Sequence, residues 1–390
     1  MNDRERFQAV MHYQPRDRGY LCDFGFWTET LTLWYEQGLP RTVGWRNSDE
    51  YFGMDGFERH WVNEEGAAFI SRNKLLKAGG LKIGLWPYFQ EKVLEDRGET
   101  EVVQQMDGVR VLRAKVMSSI PPHAGHLLVD RQSWQEHYRP RLDPANPERY
   151  PQNWDETIRA WSDPQREHIL VLPVGSLYGW LRNWMGVENL SRLVYRDPKL
   201  FEEMVTTVAD CIYTVIRRVL EAGAIFDAAA YWEDMCYNAG PLLGPKQFKQ
   251  FIVPHYRRIN DLLRRHGVPV IFVDCDGKID ALLPLWLEAG VNCMFPIEVG
   301  TWDGDPLKLR REYGRELRML GGFDKHILAQ GKDAIEREVQ RLAPLVEEGG
   351  FIPFCDHRVP PDVPFENYRC YVEAARRVWG KGVNLKPVGW

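Results

Sequence analysis

The chain has 390 residues and is 44% apolar, enough to bury a large core in two domains or in one barrel with an extension. Its net charge is −5 with Lys and Arg scattered rather than grouped, which argues against nucleic acid as a partner. No apolar run reaches the length of a membrane span, the charged start does not resemble a signal peptide, and the seven Cys show no close pairing, so we expect a soluble cytoplasmic protein with reduced thiols.

The first part of the chain predicts an N-terminal helical segment followed by an insertion. Two helices and one strand are predicted there, at residues 4–11, 27–37 and 20–24. Farther along, the alternating runs 101–103 and 109–112 are joined through Asp107-Gly108, a pair that is typical of hairpin turns. We therefore expect an antiparallel ribbon that elaborates the fold.

From about residue 140 onward, strands and helices alternate. The predicted strands are residues 168–174, 225–232, 268–273, 291–296, 317–320 and 351–354. The predicted helices are residues 187–195, 198–222, 245–266, 279–289, 306–313, 333–347 and 365–379. Single helices between short strands imply parallel pairing with right-handed crossovers.

This alternation predicts the α/β class and a (β/α)8 TIM barrel with an N-terminal helical extension and an antiparallel hairpin insertion. The whole chain, 1–390, is then one domain, with an N-terminal segment at 1–66, the hairpin elaboration at about 67–130 and the βα core at 140–390. An open doubly wound sheet is the alternative, although no glycine-rich dinucleotide fingerprint follows any strand.

Five predicted strands end in acidic or His side chains. These strand ends are residues 232–234, 274–277, 296–298, 321–324 and 355–357. Because the strand ends of a barrel open on one rim, these groups are expected to share one pocket. Asp274 and Asp276 are two residues apart on a strand and so point to the same face. Two adjacent carboxylates raise each other's proton affinity unless a cation lies between them, so a metal pair, an acid/base pair and a plain helix cap all remain open.

Other candidates surround this pair. His357 lies in a proline-stiffened loop, where it is interpreted as a ligand or a proton carrier, and Arg358 beside it pairs with an acidic substrate or with Asp362. The small residues before Tyr231 leave room for a ligand above that strand. Arg182, in the loop and helix after an earlier strand, would support an anion.

Several short motifs resemble the uroporphyrinogen decarboxylase superfamily. They are residues 4–7, 14–18, 267–268, 274–277, 288–292, 321–325 and 361–367. The resemblance spans nearly the whole chain and implies a (β/α)8 barrel. The superfamily includes cofactor-free decarboxylases of porphyrinogen acetates and zinc-dependent enzymes that transfer methyl groups between a corrinoid protein and a thiol or similar acceptor. Residues 23–30 lack the arginines with which the decarboxylases grip their substrate, so the chain resembles the methyltransferase branch.

The resemblance also implies a ligand set. The methyltransferases bind zinc through a His-x-Cys-Gly motif and a later Cys, and by position Asp274, Asp276 and His357 take these three places. We therefore predict that these residues hold a divalent metal, with zinc foremost, although oxygen and imidazole donors also suit Mn or Fe. Glu233 or Asp234 is expected as a further ligand or proton acceptor.

The leading functional hypothesis is metal-assisted methyl transfer to or from a small molecule, linked to a corrinoid (methylcobamide) protein, with a homodimer implied only by analogy. In it, the other candidates line the pocket or bind an anionic group. The pocket residues are Tyr231, Trp232 and Trp180, and the anion-binding residues are Arg182 and Arg358. A first alternative is decarboxylation of another acidic substrate with Asp276 or Asp324 as the acid. A second is a tetrapyrrole- or corrinoid-binding protein without catalysis.

Overall fold

The computed structural model describes residues 1–44, 47–55, 80–115, 120–300 and 302–390. The α-helices in these ranges are α1 (Asp3–Met11), α2 (Thr28–Glu36), α3 (Ser48–Tyr51), α4 (Arg131–Ser133), α5 (Trp154–Trp161), α6 (Gly179–Met185), α7 (Val187–Arg196), α8 (Pro198–Glu221), α9 (Pro245–Phe251), α10 (Val253–Arg265), α11 (Leu283–Glu288), α12 (Pro306–Tyr313), α13 (Lys332–Glu348) and α14 (Phe365–Val378). The strands are β1 (Lys92–Asp96), β2 (Thr100–Gln104), β3 (Val109–Ala114), β4 (His123–His126), β5 (Val171–Pro173), β6 (Ala228–Trp232), β7 (Cys236–Tyr237), β8 (Gly240–Pro241), β9 (Val270–Asp274), β10 (Cys293–Ile297), β11 (Arg318–Phe323) and β12 (Phe351–Cys355).

A parallel sheet in the order β12-β11-β10-β9-β6-β5 forms the core. Alternate side chains of these strands point inward and form a cluster separate from the one between strands and helices. The interior cluster includes Val171, Ala228, Ala230, Val270, Phe272, Cys293, Phe295, Leu320, Ile352 and Phe354. The extended residues 20–24 add Tyr20, Cys22 and Phe24 to the same interior. The six parallel strands and residues 20–24 thus line one shared interior, as expected for the predicted (β/α)8 TIM barrel.

Helix α1 closes the end of the barrel at which the strands begin. Its Phe7, Val10 and Met11 belong to the interior cluster. The amide of Gly350, just before β12, donates to Val10 O over 2.7 Å, and Arg318 Nε at the start of β11 donates to Met11 O over 2.7 Å. The N-terminal helical extension is thus confirmed, and the carboxyl ends of the strands lie at the opposite end.

The insertion is a four-stranded antiparallel sheet in the order β1-β2-β3-β4. Strands β2 and β3 pair as predicted, with Val103 opposite Val111. Gly108 in their turn has φ +83°, a conformation open mainly to glycine, and Asp107 Oδ1 accepts from the amide of Val109 over 3.0 Å. The hairpin insertion is therefore confirmed at residues 92–115 and 123–126, whereas residues 67–79 and 116–119 of the predicted elaboration lie outside the described residues.

One predicted helix is divided. Residues 245–266 were expected to form one helix, but α9 ends at Phe251 and α10 begins at Val253. Pro254 has no amide hydrogen and its ring clashes with the carbonyl four residues earlier, which disfavours a continuous helix and suits the first turn of α10. Within the described ranges, the helices are all too short or too polar to cross a membrane.

Candidate active site

Three carboxylates converge where β6 and β9 end. One oxygen each of Asp234, Asp274 and Asp276 lies within 4.8 Å of the other two. Strands β6 and β9 are parallel neighbours with Trp232 opposite Asp274, so their ends meet at the same height. The amides of Glu233 and Asp234 both donate to Asp274 O, over 2.8 and 3.4 Å. Sheet register therefore places the third acid, which the sequence left as an alternative, beside the predicted pair.

Asp234 is held in an uncommon backbone conformation. Its φ of +41° lies in the left-handed region, which a non-glycine residue occupies only when its surroundings enforce it. Arg182 supplies part of that restraint, because its Nη1 donates to Asp234 O over 2.6 Å and its Nη2 lies 3.8 Å from Asp234 Oδ2. Burial raises the pKa of Asp234 to about 6, and the charge of Asp276 adds to the effect of burial. In the absence of a bound cation, Asp234 therefore titrates at about pH 6.

His357 approaches this cluster from the loop after β12. Its Nε2 lies 3.5 Å from Asp276 Oδ2, and its side chain is 21% exposed. The indole of Trp27 stacks on the imidazole at 5.7 Å with an interplanar angle of 29°, and the ring of Phe24 meets it edge-on at 5.3 Å. The structure thus places His357 beside Asp276, whereas the group of ligand atoms that lie within 4.8 Å of one another consists of Asp234, Asp274 and Asp276 and does not include His357.

The donor set fits a divalent cation. Oxygens bound to one cation at about 2.0–2.6 Å lie no more than about 5 Å apart, which matches the 4.8 Å span of the three carboxylates. Asp276 Oδ1 is buried and accepts no hydrogen bond from the described residues, an arrangement that a ligand would satisfy. Without a cation, two charges 4.8 Å apart repel by roughly 3 kcal/mol at an effective dielectric constant near 20, and by less where solvent reaches Asp276.

A layer of charged residues supports the Asp276 turn from behind. Glu298 Oε2 accepts from the amide of Gly277 over 2.6 Å, and Lys325 Nζ lies 3.7 Å from Glu298 Oε1 and 3.5 Å from Asp356 Oδ1. The fully buried Asp356 also accepts from the amide of Val299 over 2.8 Å. Burial and the charge of Asp276 raise the pKa of Glu298. These contacts fix the loops after β9, β10 and β11 relative to one another.

Glu233 does not fill the role of ligand or proton acceptor. It is fully buried, and its carboxylate accepts five hydrogen bonds. The donors are Ser176 Oγ at 2.8 Å, the amides of Leu177, Tyr178 and Gly179 at 2.9 Å each, and Tyr256 Oη at 2.6 Å. Three of these are amides at or just before the first residue of α6, so Glu233 holds the loop before that helix and has no lone pair left for a cation.

Tyr231 and Asp324 make contacts that the sequence did not predict. Tyr231 does not line the site, because it alternates with inward residues of β6 and is fully buried against α10, where its Oη donates to Asn260 Oδ1 over 2.8 Å. Asp324 caps the short 3-10 helix that follows it, and its Oδ1 accepts from the amide of His326 over 2.9 Å and contacts His326 Nδ1 at 2.8 Å. Asp324 therefore caps this turn, as Asp commonly does, and its assignment as a catalytic acid stays a prediction.

The remaining candidates flank the cluster. The guanidinium of Arg182 lies 5.5 Å from the ring of the half-buried Trp232, and that of Arg358 lies 4.9 Å from the ring of Trp27. Burial lowers the pKa of Arg358, and the charges of Asp274 and Asp276 act in the opposite direction. Trp180 stacks on Trp184 at 6.0 Å and packs over Gly175 at the end of β5. Binding of a substrate by these residues stays a prediction.

Sequence reasoning missed Trp27, Phe24 and Lys325. The first two precede α2, more than 320 positions from His357, and no periodicity links such distant positions. Lys325 follows Asp324 in a motif that the sequence had singled out, so the signal was present but was assigned to the neighbouring acid. The supporting role of Asp356 was likewise available from its position between Cys355 and His357.

Comparisons with known proteins agree with this fold. A uroporphyrinogen decarboxylase from Syntrophotalea carbinolica is 30% identical over 198 residues, which are 48% of this chain and 52% of that protein. One from Thermus thermophilus is 29% identical over 197 residues, 49% of this chain and 52% of that protein. The chain thus matches about half the length of these curated relatives. A solved structure of a methyltransferase from Methanosarcina mazei has a TM-score of 0.52 at 17% identity and covers 97% of this chain and 99% of that chain, which shows a shared fold.

The matched region contains the site. The uroporphyrinogen decarboxylase (URO-D) family model matches residues 182–378, half of the chain. That range begins at Arg182, ends with α14 and includes Asp234, Asp274, Asp276 and His357. The chain belongs to the uroporphyrinogen decarboxylase (URO-D) family.

Proposed function

We propose that this chain is a metal-dependent methyltransferase that exchanges a methyl group between a methylcobamide on a partner protein and a small-molecule acceptor. The observation that carries the proposal is the meeting of Asp234, Asp274 and Asp276 within 4.8 Å, with His357 beside Asp276. Three acids so close together require a compensating positive charge, and the buried, unpartnered Oδ1 of Asp276 favours a cation over hydrogen bonding.

Asp274, Asp276 and His357 would hold the cation, with Asp234 as the fourth donor. When bound, such a cation supplies Lewis acidity toward a substrate oxygen or sulfur. Because these donors are hard, zinc, manganese and iron all suit the site, with zinc first. Arg182 would keep the Asp234 carboxylate in place through its bond to Asp234 O.

The acceptor is proposed to carry a negative charge or to develop one. Asp274 and Asp276 act electrostatically on Arg358, and burial makes its guanidinium a stronger partner for an anion than an exposed arginine. Trp232 and Trp27 provide apolar faces beside the two arginines. The methylcobamide partner rests on the likeness of the fold to a methyltransferase and on the absence of the decarboxylase arginines from residues 23–30.

Metal analysis tests the site. The full chain, stripped with a chelator and then titrated with Zn²⁺ or Mn²⁺, is expected to bind close to one equivalent. Asp276→Asn is expected to lose most of that binding, since it removes a charged donor without changing the size of the side chain. Asp305→Asn is the matched control, because Asp305 caps α12 and pairs with Arg341 away from the acidic cluster. Substoichiometric metal in replete wild-type chain would contradict the proposal.

Turnover distinguishes methyl transfer from the second candidate, decarboxylation of an acidic substrate. That candidate is favoured by the name of the curated relatives and by Asp234, whose pKa of about 6 would let it donate a proton. Transfer of the methyl group of methylcobalamin to an added thiol acceptor by the metal-loaded chain, lost in Asp276→Asn, would support methyl transfer. Release of carbon dioxide from the acetate groups of a porphyrinogen, unaffected by chelation, would support the alternative and overturn the leading proposal.

A further inference from the structure

We propose that Trp27 is a positioning residue that fixes the imidazole of His357 toward Asp276. The proposal rests on the proposed role of His357 as a metal ligand and adds a residue from the other end of the chain to that site. Trp27 is half-buried, lies just before α2 and contacts His357 through a ring stack at 5.7 Å and 29°.

The backbone around Trp27 is tied to the loop that carries His357. The amide of Val359 donates to Gly25 O over 2.9 Å, and the amide of Trp27 donates to Val359 O over 3.3 Å. Thr30 Oγ1 donates to the same Val359 carbonyl over 2.8 Å. Residues 25–27 therefore pair with the segment just after His357. This pairing fixes the position of the Trp27 indole relative to the imidazole of His357.

Ring packing is the restraint that holds the imidazole. Metal-bound imidazoles are usually oriented by a hydrogen bond at the second ring nitrogen. Within the described part of the chain, no hydrogen bond is made at His357 Nδ1, while Nε2 lies 3.5 Å from Asp276 Oδ2. The face of Trp27 and the edge of Phe24 bound the ring instead, at 5.7 and 5.3 Å. Removing the indole would leave rotation about the Cβ–Cγ bond of His357 less restricted.

Trp27 also orders the neighbouring arginine. The guanidinium of Arg358 lies 4.9 Å from the indole centroid, within the range of cation–π attraction. The same indole thus contacts both consecutive side chains of the loop, one that would bind the metal and one that would bind the anionic group. Loss of the indole is expected to affect metal affinity and substrate affinity together.

Zinc affinity tests the proposal. The variants are Trp27→Leu, which removes the ring, and Trp27→Phe, which keeps an aromatic face. The control is Trp154→Leu, because Trp154 is also half-buried, contacts a ring at 5.5 Å and has an arginine 5.3 Å from its centroid, but lies on α5. The zinc affinity of the metal-stripped full chain is measured by calorimetric titration. We expect it to be about 10–100-fold weaker in Trp27→Leu, in line with other residues that support metal ligands. Trp27→Phe should retain most of the affinity and Trp154→Leu all of it.

Nuclear magnetic resonance of the wild-type and variant chains separates positioning from general destabilisation. With ¹⁵N-labelled histidine, His357 is expected to show one dominant tautomer in the wild type, a mixture in Trp27→Leu, and the wild-type pattern in Trp27→Phe. Nuclear Overhauser contacts between the Trp27 and His357 rings are expected in the wild type, so the proposal can fail even if Trp27→Leu does not fold.

The outcomes are distinct from those of the proposed function. Absence of zinc binding in the wild type would remove the metal site, while the His357 tautomer and ring contacts would still report on positioning by Trp27. Wild-type zinc affinity in Trp27→Leu with an unchanged His357 spectrum would overturn the positioning role and leave the metal site standing. Equal loss of affinity in Trp27→Leu and Trp154→Leu would also overturn it, because the effect would then be general.

Discussion

Replacing Glu233 with glutamine separates a structural role from a catalytic one. Glu233 is isosteric with glutamine, so Glu233→Gln keeps the volume of a fully buried side chain and changes only its charge and hydrogen-bonding pattern. Both carboxylate oxygens accept bonds, Oε1 from the amide of Leu177 and from Tyr256 Oη, and Oε2 from Ser176 Oγ and two further amides. A glutamine NH₂ group would therefore face at least one backbone amide in either orientation.

The expected cost follows from this conflict. The more favourable orientation places the NH₂ group at the Oε1 position, where Tyr256 Oη can turn to accept and only the amide of Leu177 is left without an acceptor. An unsatisfied buried donor and the loss of charge-assisted bonds each cost on the order of 1–3 kcal/mol, so we expect a loss of about 3 kcal/mol of unfolding free energy. Because unfolding entropy scales with chain length, this corresponds to a fall of about 4 °C in Tm for 390 residues.

Differential scanning calorimetry and turnover of the same preparations measure the two roles. Glu203→Gln is the control, because Glu203 is 32% exposed and its pair with Arg131 lies on the surface, where such pairs contribute less than about 1 kcal/mol. We expect Glu233→Gln to lose stability, with activity falling only as far as the loop at residues 175–179 loosens. An unchanged Tm together with abolished turnover would refute the structural role and restore Glu233 as a catalytic candidate.

Three other changes test the fold. Asp55→Ala removes the carboxylate that accepts hydrogen bonds from the buried guanidinium of Arg18 at 2.6 and 2.7 Å. The unfolding free energy measured in urea is expected to fall by about 3–5 kcal/mol, because a buried charge is left unpaired. A fall below about 1 kcal/mol would contradict the pairing. Burial raises the pKa of Asp17, but hydrogen bonds from Arg6 outweigh that effect and the pKa is lowered overall, so the ionised carboxylate stabilises the fold fully above about pH 4 and less as pH falls further. Asp17→Asn should therefore show a shallower dependence of unfolding free energy on pH below about pH 4. An acid unfolding profile identical to that of the wild type would contradict this. Gly277→Ala puts a Cβ 2.7 Å from a backbone carbonyl oxygen at φ +83° and should cost more than about 1 kcal/mol, which unchanged urea unfolding would disprove.

Much of the fold could be predicted because its signals are local. The alternation of short apolar runs with amphipathic helices specified parallel pairing, and Asp107-Gly108 specified the one hairpin turn that the sequence marks clearly. Sequence periodicity does not predict the role of residues 20–24. These residues place side chains in the barrel interior, but they do not form the backbone hydrogen bonds of a regular strand. The interruption at Ile252 could have been predicted from Pro254, but the amphipathic pattern on both sides of it indicates one continuous helix.

The candidate site could be predicted only as far as the ends of the strands could be located in the sequence. Asp274, Asp276 and His357 follow two strands, and the barrel brings their ends together. Choosing between Glu233 and Asp234 was not possible from the sequence, because consecutive residues at a strand end point to opposite sides and the direction of each depends on backbone geometry. The left-handed φ of Asp234 turns its carboxylate toward the acids, while Glu233 turns toward α6.

The charge of the site links the two proposed chemistries. Asp234, Asp274 and Asp276 outnumber the flanking Arg182 and Arg358 by one charge while His357 is neutral, so the cluster alone attracts a proton or a cation. A bound proton would make Asp234 an acid that can protonate a carbanion, as decarboxylation requires. A bound divalent cation would instead reverse the sign of the site and favour an anionic acceptor, as methyl transfer to a thiolate requires. Because both ligands compete for the same oxygens, zinc binding should release protons near pH 6, and metal affinity should fall as pH is lowered through that value.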